Sequence, residues 1–151
     1  MFLCDAIIAL MIDIKILDNL SDDAINFVKS EWAKADFIHF GRKIQWSKEK
    51  KVFQAYENGA IVGVLELTIQ AGVMYIDELI IRQDMQRKGF GKRLMQKAED
   101  VAREQKLHKM YLDTGKDWPA AKFYEALGYE KTGELPNHFE NADYAVYSKF
   151  L

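Results

Sequence analysis

The sequence predicts an α/β fold in which one mixed, mostly antiparallel sheet of about seven strands carries flanking helices and has a parallel strand pair at its centre. Three observations predict it. Strand-like apolar patterns fill the chain up to Arg82 and return after Gly128; turn-forming dipeptides separate the early strands; two amphipathic helical stretches separate the later ones. Strands joined by tight turns pair antiparallel, whereas strand, helix and strand in succession make a crossover between parallel neighbours. Where two such strands diverge, a cleft opens at their carboxyl ends.

Residues 12–17 alternate apolar and polar, as a strand with one buried face does. Ser21 then offers an N-cap, Asp22 and Asp23 suit the positive start of a helix, and Ile25, Val28, Trp32 and Ala35 follow helical spacing. Residues 36–50 mix aromatic and polar side chains and read as a short helix and loop. Strands over 52–57 and 61–69 flank Asn58-Gly59, a dipeptide that accepts the positive φ angles of a two-residue hairpin. Ala71-Gly72 turns the chain into a largely buried strand over 73–82. A helix is expected over 89–105, with Leu94, Met95, Ala98, Val101 and Ala102 on one side. A short strand over 110–113 follows, expected to be parallel to the strand before the helix. Pro119 suits a first helical turn and Gly128 a left-handed stop. Strands over 129–134 and 144–150, joined by a loop with Pro136, Asn137 and His138, complete the fold.

At 151 residues the chain fits one domain, residues 1–151. The net charge of −2 supplies no field for gathering phosphates, which argues against nucleic acid as a partner. The single cysteine, Cys4, has no disulfide partner in the chain, so a reducing compartment, the cytoplasm, is expected. The apolar run over residues 1–12 is too short to span a bilayer, and no membrane association is expected. Because the alternating pattern begins beside Met11, residues 1–10 are read as an extension upstream of the natural start.

The chemistry concentrates at one strand-to-helix junction. In the run Gln86, Arg87, Lys88, Gly89, Phe90, Gly91, Lys92 and Arg93, two glycines let backbone N–H groups point outward at a helix start, and four cationic side chains surround them. Such a turn cradles anions, and a diphosphate matches it better than one carboxylate. The spacing is not that of a Walker loop. Nor is it a dinucleotide fingerprint, because Leu94 stands where that needs a small residue. The plain alternative is a tight turn with a solvated basic face.

Gln86, Gly89 and Gly91 match Gln/Arg-x-x-Gly-x-Gly/Ala, and Ala120, Tyr124, Gly128 and Tyr129 match Ala-x-x-x-Tyr-x-x-x-Gly-Phe/Tyr. These two motifs, in this order, resemble the signatures of the GCN5-related N-acetyltransferase (GNAT) superfamily. The resemblance covers residues 75–129 well. It implies a central parallel pair that splays, with acetyl-CoA as co-substrate held between the strands and no metal. Main-chain groups of Leu79, Ile80 and Ile81 would meet the pantetheine arm. Amides of Arg87, Lys88, Gly89, Phe90, Gly91 and Lys92, behind Gln86, would bind the pyrophosphate. Asp117 stands where many members have a cofactor-contacting Asn; it accepts hydrogen bonds but has no amide proton to donate.

An acetyltransferase of this kind would pass the acetyl group to a primary amine of a small molecule or peptide by direct attack in a ternary complex. Tyr124 matches the tyrosine of the later motif and is the candidate acid for the departing thiolate; its alternative is a core aromatic packed beside Phe123. An alkylamine is mostly protonated near neutrality, so a base or a water chain must take its proton. Glu78 and Asp113 are the candidates, and period-two alternation does not choose between them because buried sheets are apolar on both faces. His39, His108 and His138 read as surface or loop histidines, and they lack metal-ligand spacing. A non-catalytic module that binds acyl-CoA as a sensor or assembly part is the rival reading. Exposed edge strands leave a homodimer open.

Overall fold

The computed structural model describes residues 14–151, which divide into two compact units, one ending at Ile44 and the other Gln45–Leu151. The expected extension over residues 1–10 lies outside the described residues, as do Met11, Ile12 and Asp13.

In the first unit, helix α1 spans Asp22–Phe40. Ser21 caps it as expected, its hydroxyl accepting the Ala24 N–H at 3.2 Å, and Asp22 and Asp23 occupy the first turn. The helix runs on past Asp36, where the sequence suggested a mixed segment. It stops where Gly41 takes φ 68° and returns its N–H to the Phe37 carbonyl at 3.1 Å. The Asp36 carboxylate holds the chain beyond that stop by accepting the Ile44 N–H at 3.1 Å. Residues 14–17 form no strand, and their alternation lacks the buried face that would give it meaning: Ile14 is 83% and Ile16 97% exposed.

In the second unit six strands form one sheet: β1 (Glu49–Glu57), β2 (Ala60–Gln70), β3 (Val73–Ile81), β4 (Lys109–Gly115), β5 (Glu130–Leu135) and β6 (Tyr144–Phe150), in the spatial order β1-β2-β3-β4-β6-β5. Every neighbouring pair is antiparallel except β3 and β4. The two early hairpins turn as their residues require. Asn58 and Gly59 take φ 50° and 80°, and Ala71 and Gly72 take φ 49° and 84°, the positive pair of a two-residue turn. The sheet expected to have about seven strands has six among the described residues, where residues 14–17 of the expected first strand pair with nothing in it.

Helix α2 (Phe90–Glu104) connects β3 to β4, and helix α3 (Pro119–Ala126) connects β4 to β5. Both pack on the same face of the sheet. Leu94, Met95, Ala98 and Ala102 of α2 and Ala121 and Tyr124 of α3 share one buried cluster with Leu65, Leu67, Met74, Ile76, Met110 and Leu112. Period-two alternation puts those strand residues on a single face, so one side of each strand is committed to the helices. Behind α3, Gly128 at φ 84° lets the Gly128 and Tyr129 N–H groups bond back to the Glu125 and Tyr124 carbonyls at 2.9 and 3.1 Å, which closes the helix in a Schellman turn.

Leu67 is fully buried at the centre of this cluster. Leu67→Ala is expected to lower the unfolding free energy by about 2–5 kcal/mol, read from urea denaturation followed by circular dichroism. A loss below ~1 kcal/mol would place the core elsewhere.

Candidate active site

The site starts where a strand pair stops. β3 and β4 are in register only over Val73, Met74 and Tyr75 against Lys109, Met110 and Tyr111, while β3 continues to Ile81 and β4 to Gly115. Beyond that point the facing backbone edges have no ladder with each other. On its other side β3 departs from regular pairing as well. Glu66 of β2 faces Glu78, but Leu67 faces Ile76, so Asp77 is an extra residue in a bulge. The bulge puts Asp77 and Glu78 on the face away from the helices and restores Leu79 and Ile81 to the helix side, where both pack against the core.

At the end of β3 the chain folds back through a short 3₁₀ turn, Gln83–Met85, anchored by buried Met85. The Gln86 side-chain amide donates to the Ile81 carbonyl at 3.3 Å, tying the loop to the last residue of the strand. Arg87 then takes φ 62° and Gly89 φ 87°. Left-handed residues spaced this closely are the geometry of an anion-binding nest, and a positive φ is costly for a long side chain such as that of Arg87. The first intrahelical bond of α2 runs from the Arg93 N–H to the Gly89 carbonyl, so the amides of Phe90, Gly91 and Lys92 have no acceptor within the helix. A Cβ on Gly89 would meet nothing within 4 Å. The glycine is therefore required for its backbone angle, and the space beside the turn is open to a ligand. Gly91 sits in close packing instead: a Cβ there would lie 3.3 Å from the Phe123 ring and 3.6 Å from Ile81 Cγ1, so β3, α2 and α3 converge on it.

Tyr124 sits on α3 with its ring edge-on to Phe123 and Tyr129, at centroid distances of 5.1 and 5.9 Å. It is buried, its hydroxyl makes no hydrogen bond among the described residues, and yet no buried polar atom is left sealed without a partner. The hydroxyl therefore reaches accessible space. Burial pushes the phenol up to about 12. Asp113, two residues past the last paired position of β4, faces away from the helices. It accepts the Tyr75 hydroxyl at 2.6 Å across the start of the gap, and burial, together with this bond, raises the Tyr75 phenol well above its ordinary range. Tyr75 also packs on Tyr111 at 4.9 Å. Tyr124 and the carboxylates of Glu78 and Asp113 thus belong to opposite faces of the sheet, with the unpaired stretch of β3 and β4 between them.

Residues 17–129 match the Acetyltransferase (GNAT) family. The chain belongs to that family. Among solved structures, this GNAT chain is similar to an acetyltransferase from Bacillus cereus, with 20% identity over 91% of this chain and 98% of the other at a TM-score of 0.71. A GNAT family acetyltransferase from Elizabethkingia anophelis with acetyl-CoA bound shares 18% identity over 68% of this chain and 76% of its own, at a TM-score of 0.62. The ribosomal-protein-S18-alanine N-acetyltransferase of Escherichia coli shares 19% over 67% and 68%, at 0.63. At these identities the likeness is one of fold.

The GNAT residues singled out from sequence fall in three places. Leu79, Ile80 and Ile81 form the end of β3; Gln86, Arg87, Lys88, Gly89, Phe90, Gly91 and Lys92 form the turn and first turn of α2; Asp117 lies exposed in the turn before α3. Glu78 is exposed and Asp113 half-buried. Sequence reasoning did not find Tyr75 as the partner of Asp113, because cross-strand contacts depend on register, nor the loop-closing bond of Gln86. It also passed over Trp118, whose ring covers Gly115 at 2.4 Å from where a Cβ would stand and packs edge-on to Tyr144 at 5.4 Å. His138 joins that group, 4.1 Å from Phe139 and 5.3 Å from Tyr144. Among the described residues no group of three or more His, Cys, Asp or Glu is placed to hold a metal ion, and no helix is long and apolar enough to cross a membrane.

The raised phenol of Tyr124 has a consequence for stability. Folding favours its neutral form, so its contribution is complete below the unfolded value near 10 and is lost as pH rises toward about 12. Thermal unfolding between pH 9 and 12 should show wild type losing up to about 3 kcal/mol more than Tyr124→Phe over that interval. Equal alkaline losses in the two proteins would show that the hydroxyl is not held in a buried setting.

Proposed function

We propose that this chain is an acetyl-CoA-dependent N-acetyltransferase that acylates a primary amine of a small molecule or peptide by direct attack in a ternary complex. The observation that carries the reading is the nest at Arg87 and Gly89, opening onto the free amides of α2 beside the unpaired ends of β3 and β4. The fit to a paired phosphate rests on those amides, on the open space beside Gly89, and on the cationic Arg87, Lys88, Lys92 and Arg93 around it. Membership of the GNAT family and the acetyl-CoA held by the Elizabethkingia protein agree with it. The family match runs across both compact units, which supports their working as one domain.

In this reading Phe90, Gly91 and Lys92 bind the pyrophosphate through their amides, and the Gln86 bond to Ile81 keeps the loop at the height of the strand end. Leu79, Ile80 and Ile81, at the unladdered end of β3, offer main-chain groups to the pantetheine arm, and Asp117 accepts rather than donates at its position. Bound acetyl-CoA supplies an activated acyl carbon and a thiolate leaving group.

Tyr124 faces a proton-balance constraint. A phenol at about 12 gives its proton to a thiolate, whose conjugate thiol has an ordinary pKa near 8.5, only uphill, by roughly 5 kcal/mol. Its role is then to stabilise the leaving sulfur with a hydrogen bond, while the proton that ends on sulfur originates from the amine. The amine must first lose a proton, which near neutrality costs about 4–5 kcal/mol for an alkylamine of pKa ~10.4. Asp113 is the better-held of the two candidate bases, since Tyr75 fixes its carboxylate at the mouth of the gap, whereas Glu78 stands exposed opposite Glu66. The acceptor class is an amine; the Escherichia coli relative, by its name, acts on a protein alanine.

Three measurements test the proposal. Purified protein given acetyl-CoA and a panel of polyamine, aminoglycoside, lysine and peptide amines should release free thiol in an amine-dependent way. Tight binding of coenzyme A with no release for any amine would point to a binding module instead. Tyr124→Phe should lower kcat about tenfold to a hundredfold, the worth of one hydrogen bond to a charged sulfur, and leave coenzyme A affinity within about threefold; unchanged kcat would remove Tyr124 from the reaction. Asp113→Asn should depress the rate most near neutrality, where an alkylamine is still mostly protonated, and least above pH ~10.4, where it is already free; an equal profile for it and wild type would pass the role of base to Glu78 or to water.

A further inference from the structure

We propose that Lys149 is a positioning residue for Tyr124, clamping the end of α3 to α2 so that the Tyr124 hydroxyl keeps its place; the proposal rests on the reading of Tyr124 as the group beside the leaving sulfur. Lys149 lies on β6 with its side chain on the helix face. Its Nζ donates to Glu99 Oε1 at 2.8 Å and to the Leu127 carbonyl at 2.7 Å, and stands 5.7 Å from the centre of the Tyr129 ring. Glu99 belongs to α2 and is buried. Leu127 is the C-cap of α3, where a helix leaves carbonyls without amides and a cation is favoured by the helix dipole. One ammonium thus joins β6, the cofactor helix and the helix that carries Tyr124.

The route from Lys149 to Tyr124 is short on both the backbone and the side chain. The Leu127 and Tyr129 N–H groups both donate to the Tyr124 carbonyl, at 3.0 and 3.1 Å, on either side of the carbonyl that Lys149 holds. The Tyr129 ring under the ammonium is the ring that packs edge-on against Tyr124. Gly128 makes this approach possible: at φ 84° it brings the chain back beneath Lys149, whose Cε would lie 3.7 Å from a Cβ at that position. The mostly buried setting of the pair makes the cation demanding. Glu99 without it is a buried carboxylate with no counter-charge, and the Leu127 carbonyl loses its donor. Arginine, with its forked donors and permanent charge, can satisfy both acceptors; methionine matches the length of lysine and satisfies neither.

The test uses the full chain labelled with ¹³Cζ-tyrosine, the Tyr124 resonance being assigned by its loss in Tyr124→Phe. Lys149→Met is expected to shift or broaden that resonance, and Lys149→Arg to return it to the wild-type position, with coenzyme A affinity within about threefold throughout. Should Lys149→Met not fold, Lys149→Gln replaces it with the same expected shift. For the best amine of the panel, Lys149→Met should lower kcat at least about tenfold, and Tyr124→Phe added to it should cost less than about a further twofold, because the two act through one group. An unmoved Tyr124 resonance in Lys149→Met, a Lys149→Arg variant that behaves like Lys149→Met, or fully multiplicative losses in the double variant would overturn the clamp. If wild type transfers acetyl to no amine, the acetyltransferase reading falls, and the resonance alone decides whether Lys149 positions Tyr124.

Discussion

β3 and β4 are in register for three residues, and the functional half of the molecule depends on where that register ends. A parallel pair that stayed zipped would bury its backbone groups in a ladder and leave nothing for a ligand. Here α2 starts at the glycine turn beyond β3, and β4 runs out to Gly115 with β6 as its remaining partner. The unladdered edges and the start of α2 beside them follow from one topological event, the early end of the β3–β4 ladder. The bulge at Asp77 contributes by turning Leu79 and Ile81 to the helix side and leaving the carboxylates on the other.

The two faces of the sheet divide the work. On the helix face, Phe123 packs on Gly91 and Ile81, and Tyr124 and Tyr129 pack behind it; this apolar setting raises the Tyr124 phenol and keeps it neutral. On the opposite face, Tyr75 holds Asp113, and Thr68 holds Asp77 through a 2.8 Å bond. On the proposed reading, the helix face supplies a hydrogen-bond donor and the opposite face a carboxylate for acyl transfer to an amine. Each side chain is held by neighbours rather than left to solvent, which is what preorganisation requires.

Much of this was legible in the sequence because it is local. Ser21, Asn58-Gly59, Ala71-Gly72, Gly89, Pro119 and Gly128 act through their own backbone angles or caps, and each sits where its chemistry led one to expect. The glycine turn before α2 was readable for the same reason, since the positive φ of Gly89 and the helix start beyond it need no distant partner. What stayed hidden depends on register and packing. Alternation did not reveal the bulge that puts Asp77 and Glu78 side by side, the reach of Tyr75 to Asp113 from thirty-eight residues away, or the meeting of Lys149, Glu99 and Leu127 from three elements. The alternation over residues 14–17 shows the reverse failure: periodicity names a strand only where a face is buried, and Ile14 and Ile16 are exposed.

A grip of the α2 amides on the paired phosphate of coenzyme A is visible residue by residue in solution. Amide chemical shifts followed through a titration test it most directly, with pantetheine as the control that lacks the diphosphate. Large, saturable shifts of Gly89, Phe90, Gly91 and Lys92 with coenzyme A, and none at those residues with pantetheine, are the expected result. Equal shifts with both ligands, or coenzyme A perturbing other residues while these four stay still, would contradict it.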